Sequence, residues 1–265
     1  MLSFNFWIRA TSICLVVTTL ASCAELQPKD LAKYLRQNGW TYVDVPRQLL
    51  GPGAIVTISK ESGITYRGEL SSCIDDQAVV TPKSGPVALN GAMNKAIQFS
   101  ADAFVNYQGV QVGPEFNKVG TYKLVLKDTI EYAIDDIKLR NWLEANAHNL
   151  TQACRDYLGY ANAGQGAKNV FILVNVLGAG KYEYSFFDKS GSKIEVSAAK
   201  LSQFVTPKAG FDFSVTSDGN LTSDKPVFLA FKRGVPASPV GMGAAADETA
   251  TQEMQGYLRA RSLIE

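Results

Sequence analysis

The chain has 265 residues, of which 46% are hydrophobic, 10% aromatic and only 19% charged, enough apolar material for a folded core and unlike a disordered tail protein. Lys and Arg number 26 against 25 Asp and Glu, a formal net charge of +1, so no surplus of cations exists to neutralise phosphates, which excludes nucleic acid as a main partner. A single histidine removes most metal sites and most imidazole-based catalytic sets, and the sequence assigns no catalytic residue, no metal ligand and no cofactor.

The chain opens MLSFNFWIRATSICLVVTTLASC. One cation, Arg9, precedes an apolar run from Ala10 to Leu20. Eleven residues at about 1.5 Å each reach roughly 17 Å, short of a hydrocarbon core of ~30 Å. The pattern predicts a cleaved export signal over residues 1–22. Its end, Leu20-Ala21-Ser22-Cys23, resembles the bacterial lipobox, an aliphatic residue and two small ones before a cysteine. The resemblance implies a lipoprotein: diacylglyceryl on the Cys23 thiol, cleavage before it, and acylation of the new amino group. Ala24 stands where that family's inner-membrane retention signal has aspartate, which implies an outer-membrane anchor facing the periplasm. Three acyl chains far exceed a one-chain anchor, which binds only marginally.

Cys14 leaves with the leader, so Cys73 and Cys154 remain as an even pair for an oxidising compartment. They predict a structural disulfide worth roughly 4–5 kcal/mol on the chain-entropy model. Two buried thiols are the alternative, and no Cys-x-x-Cys spacing points to redox chemistry.

After a tether over 23–27, Pro28 starts a helix with Leu31, Tyr34 and Leu35 at helical spacing and Gly39 beyond its end. Strands follow at 40–45 and 54–58, with a third expected within 76–82 and a helix over 92–105. A β-prone run, 121–133, leads into a helix capped by Asp135 or Asp136, whose stripe of Leu139, Leu143, Ala147, Leu150, Cys154 and Leu158 ends at Gly159. The second half reads as a meander. It has a strand over 170–176, a turn at Gly178-Ala179-Gly180, and a strand with Tyr182, Tyr184 and Phe186 opposite Lys181, Glu183 and Ser185. Ile194 and Val196, then Phe211, Phe213 and Val215, repeat the alternation, and 227–232 is a last strand. Such alternation marks a sheet wetted on one side. The expected class is α+β, a single domain with a mixed or mainly antiparallel sheet packed on a long central helix. The globular domain is placed at 28–233, and 234–265 as a Gly, Ala and Pro-rich linker with a weakly amphipathic helical tail.

No nucleotide or serine-hydrolase motif is present. His148 points away from the apolar stripe of its helix. Ser197-Ala198-Ala199-Lys200 and Ser190-Gly191-Ser192-Lys193 have Ser-x-x-Lys spacing, at a frequency chance accounts for, without the companion Ser-Asp-Asn and Lys-Thr-Gly elements. Asp75-Asp76 and Asp135-Asp136 read as turn and cap residues, although paired carboxylates leave a periplasmic hydrolase open as an alternative.

Tyr34-Leu35 and Gly39, Val45-Pro46-Arg47, Leu49-Leu50 and Gly68-Glu69-Leu70 resemble the opening of bacterial gasdermin-like proteins. The later order, a strand into an acid-capped helix and then a Phe-Ile-Leu-Val-Asn-Val strand, is similar too. That resemblance implies an α+β fold held inactive by its C-terminal segment and a membrane pore once proteolysis removes it. The family acts from the cytoplasm, whereas this chain carries an export signal. The leading expectation is a non-enzymatic lipoprotein that meets the membrane through its N-terminal lipid and binds an envelope protein or glycan. A gasdermin-like membrane-perturbing protein is the alternative.

Overall fold

In the computed structural model the described residues are 26–87, 95–107, 110–159, 170–207, 213–223, 225–237 and 245–262. In chain order the first half holds α1 (Pro28–Gln37), β1 (Thr41–Arg47), β2 (Ala54–Ser59), β3 (Gly63–Glu69), α2 (Gln77–Val80), β4 (Lys83–Pro86), β5 (Ile97–Ser100), α3 (Ala101–Tyr107), β6 (Val110–Val112) and β7 (Val119–Ala133). Then come α4 (Asp136–Asn146), α5 (Gln152–Tyr157), β8 (Val170–Asp188), β9 (Lys193–Ile194), α6 (Leu201–Phe204), β10 (Val205–Pro207), β11 (Ser214–Val215), β12 (Leu221–Ser223), β13 (Val227–Pro236) and α7 (Ala245–Ala260).

The fold is α+β, built among the described residues on an eleven-stranded sheet with β8 as its spine. Along one edge β8 pairs with β7 and β2, and along the other with β13, β12 and β9; β1 extends β13, β3 extends β2, and β4 and β5 both lie on β7. Every pair of named strands is antiparallel. The start of β8 is buried on both faces, which is why its sequence is almost unbroken apolar. Phe171 and Leu173 enter the larger core beneath α1, α3 and α7. Val170, Ile172 and Val174 enter a second core covered by α2, α4 and α5.

Four local expectations differ from the structure. Within 76–82, Gln77–Val80 form helix α2 rather than a strand, because Asp76 accepts a 3.0 Å bond from the Ala78 amide and caps the turn. In the expected helix over 92–105, residues 92–94 lie outside the described residues, and 97–100 form β5, where buried Ile97 and Phe99 alternate with Gln98 and Ser100 against β7. Gly178 and Gly180 make no turn: β8 runs straight through them. A Cβ on Gly178 would lie 2.9 Å from both the Phe228 ring and the Val227 carbonyl, so this glycine serves close strand approach. The long central helix is two helices. Leu150 is extended, and the Thr151 hydroxyl accepts from the Cys154 amide to start α5 afresh. The stripe residues Leu139, Leu143, Leu150, Cys154 and Leu158 nonetheless share the second core.

Candidate functional site

The longest paired element is the β7–β8 ladder. Tyr122, Leu124 and Leu126 stand opposite Phe186, Tyr184 and Tyr182, and all six are fully buried. Lys123, Val125 and Lys127 stand opposite Ser185, Glu183 and Lys181 on the other face. Lys127 pairs with Glu183 at 2.5 Å, and the Lys123 ammonium sits 4.3 Å over the Phe187 ring. One face is therefore apolar and aromatic, the other mainly polar and half-buried to exposed. The apolar face is capped by Phe104, whose ring packs edge-on against Tyr122, Tyr184 and Phe186, and by Phe116 and Phe204. These caps come from short connecting segments, not from the sheet.

Helix α7 closes the other end of the same core. Ala250, Met254, Tyr257 and Leu258 repeat at helical spacing and are all buried, so the C-terminal helix is built into the principal core. It packs across β13, β2, β1 and β3. The Tyr257 hydroxyl donates to Asp44 Oδ2 at 2.9 Å, and Glu253 accepts from the Lys60 amide at 3.0 Å. Asp44 lies at φ 67°, a left-handed conformation that aspartate tolerates because its side chain bonds locally. Its Oδ1 accepts from the Val45 amide and from Arg47, whose guanidinium also reaches the Ile64 carbonyl. The Val-Pro-Arg element thus ties β1 to β3 beneath α7. Beside it, burial and then the Asp44 charge push the Tyr42 hydroxyl well above the usual tyrosine range. Gly63, at φ 67°, leaves room for the Tyr257 ring: a Cβ there would fall 2.7–2.9 Å from three ring carbons.

On the opposite face Cys73 and Cys154 are joined by a disulfide, with Cα atoms 5.4 Å apart. It fastens α5 to the end of β3, where Arg67 also donates to the Asp156 carbonyl at 2.7 Å. Glu69, at that strand end, has its carboxyl pushed up to about 7 by burial, against the lowering effect of its bond from the Tyr66 hydroxyl.

The other residues singled out in the sequence are dispersed. Cys23 and residues 1–22 lie outside the described residues. His148 is exposed in a short 3-10 turn after α4. Asp76 and Asp135 cap α2 and α4. Ser197 and Lys200 line an open cavity of about 620 Å³ with Glu195, Thr216 and Ser217, and both are exposed. Among the described residues no three His, Cys, Asp or Glu side chains gather as a metal site. Among them, too, no helix is long and apolar enough to cross a membrane.

No family model matches the chain, and no curated protein does. Among solved structures, a bacterial gasdermin from Bradyrhizobium tropiciagri is similar at 15% identity and a TM-score of 0.39, over 76% of this chain and 83% of that one.

Proposed function

We propose that this chain is a lipid-anchored outer-membrane protein, facing the periplasm, whose sheet acts on a membrane when the C-terminal helix leaves it. The β7–β8 ladder carries this reading. At 15 and 19 residues its strands exceed the ~9–11 that a membrane-crossing strand needs. Over residues 122–127 and 181–186 the ladder has one apolar and one polar face, as a strand between lipid and water requires. The α7 joint supplies the restraint, and the lipobox at Cys23 supplies the anchor. Dye leakage from liposomes, measured before and after cutting within residues 238–244, tests the activity. Loss of palmitate labelling in Cys23→Ser tests the anchor independently.

A second reading, a tethered module that binds an envelope protein or glycan, is favoured by how deeply Met254 and Tyr257 enter the core. In that case α7 is a permanent wall of the domain, and cutting before it produces no leakage.

A further inference from the structure

The two ends of the folded chain meet around a cavity of about 550 Å³. That volume is in the range of small-molecule sites. Gln27 at the start of α1, Asp44 of β1, Gln98 of β5, Asp102 of α3, and Tyr257 and Arg261 at the end of α7 contribute to its lining. Their charges are not equivalent. Asp44 is buried and engaged by Arg47 and by the Tyr257 hydroxyl, so its charge is already balanced. Asp102 and Arg261, both exposed, join no ion pair among the described residues. The Arg261 guanidinium is held 5.1 Å over the Tyr257 ring. The cavity lining thus includes a carboxylate from α3 and, just past α7, a guanidinium resting on the Tyr257 ring, neither in an ion pair among the described residues, together with the Gln27 and Gln98 amides.

We infer that this cavity binds a compact zwitterion bearing a primary amine and a phosphate, phosphoethanolamine being the simplest, with the amine on Asp102 and the phosphate on Arg261. Guanidinium matches phosphate in a bidentate geometry, and an ammonium brings three donors to a carboxylate. The amine and phosphate occur together in the free monoester and, as a phosphodiester, in a lipid headgroup. The headgroup source rests on the anchor proposed above. Leu26 bridges to Ile97 beside the cavity, and four chain steps of ~3.6 Å would hold an anchor at Cys23 within ~14 Å of Gln27.

The test is titration of the purified protein with O-phosphorylethanolamine, followed by calorimetry, alongside Asp102→Asn and Arg261→Gln. Saturable binding is expected, weakened roughly tenfold or more by either substitution. Ethanolamine alone and inorganic phosphate alone should each bind more weakly than the zwitterion. Both altered side chains are exposed, so unchanged melting curves confirm that the variants are folded. In a parallel arm the protein is floated with phosphatidylcholine vesicles with or without phosphatidylethanolamine, because the quaternary choline cannot donate to Asp102. Preference for the ethanolamine vesicles assigns the headgroup as the source. Binding of the free compound without that preference assigns the soluble molecule, and stands even if Cys23 carries no lipid. Absence of saturation with both probes, or binding undiminished in both variants, overturns the inference.

Discussion

Tyr257 and Asp44, 213 positions apart, meet in a 2.9 Å hydrogen bond that ties the last helix to the first strand. The acceptor is a buried carboxylate already shared with Arg47, so the bond is charge-assisted and sheltered from solvent. Tyr257→Phe keeps the ring and removes the donor, and should cost ~1.5–3 kcal/mol in urea unfolding. Tyr257→Ala also empties the ring's seat and should cost about 3–5 kcal/mol. A Phe variant as stable as the parent would show that the bond adds nothing.

Gly63 is matched to that ring in both space and backbone. Gly63→Ala places a methyl against the Tyr257 ring and imposes a left-handed strain, so it should destabilise by roughly 1–3 kcal/mol. The two sites are in contact and their effects should not add. Combined with Tyr257→Ala, the steric share of the Gly63→Ala cost should vanish, leaving a coupling of about 1 kcal/mol in a double-mutant cycle. Strict additivity would contradict the packing described.

The sheet was legible in the sequence where period-two alternation faced water on one side, as in Lys181–Phe186. It was less legible where glycine served packing instead of turning. Gly178 reads as a turn residue, and only the approach of Phe228 from β13 shows otherwise. Of the helix expected over 92–105, residues 101–105 are helical in α3, while 97–100 form β5 because Ile97 and Phe99 fit either period over so short a run. Ala250, Met254, Tyr257 and Leu258 read only as a weakly amphipathic tail beyond a domain ending at 233, whereas the structure buries all four in the principal core. The joint at Asp44 had no sequence signal, because beside its local bonds to Val45 and Arg47 it depends on Tyr257, 213 positions away, which no local pattern encodes.

The bridge between Cys73 and Cys154 closes a loop of 81 positions around β4, β5 and β7. Its removal by Cys73→Ser with Cys154→Ser should lower stability by ~2–5 kcal/mol. Peptide mapping without reductant should recover the two cysteines joined, and recovery of two alkylatable thiols would refute the bridge.

Glu69 makes the β3 corner pH-dependent. Its carboxyl is pushed from 4.5 up to about 7 in the folded state, so between those values the folded protein holds more proton than the unfolded chain. Stability from this group therefore falls as pH rises from about 4.5 to 7 and is level on either side. After solvent screening of a part-exposed carboxyl the drop should be ~1 kcal/mol. Glu69→Gln should flatten that segment of the stability profile, and an unchanged slope would assign it to another group.

The central claim is that α7 restrains a membrane-active sheet. It is tested most directly by dye leakage from liposomes with a protease site placed in residues 238–244, in the parent and in Tyr257→Ala. The account predicts a silent uncut parent, leakage after cutting, and faster leakage when the cut chain also lacks the Tyr257 anchor. Absence of leakage from every cut form, with circular dichroism showing the sheet intact and the helix displaced, would contradict it and leave the chain a tethered binding module.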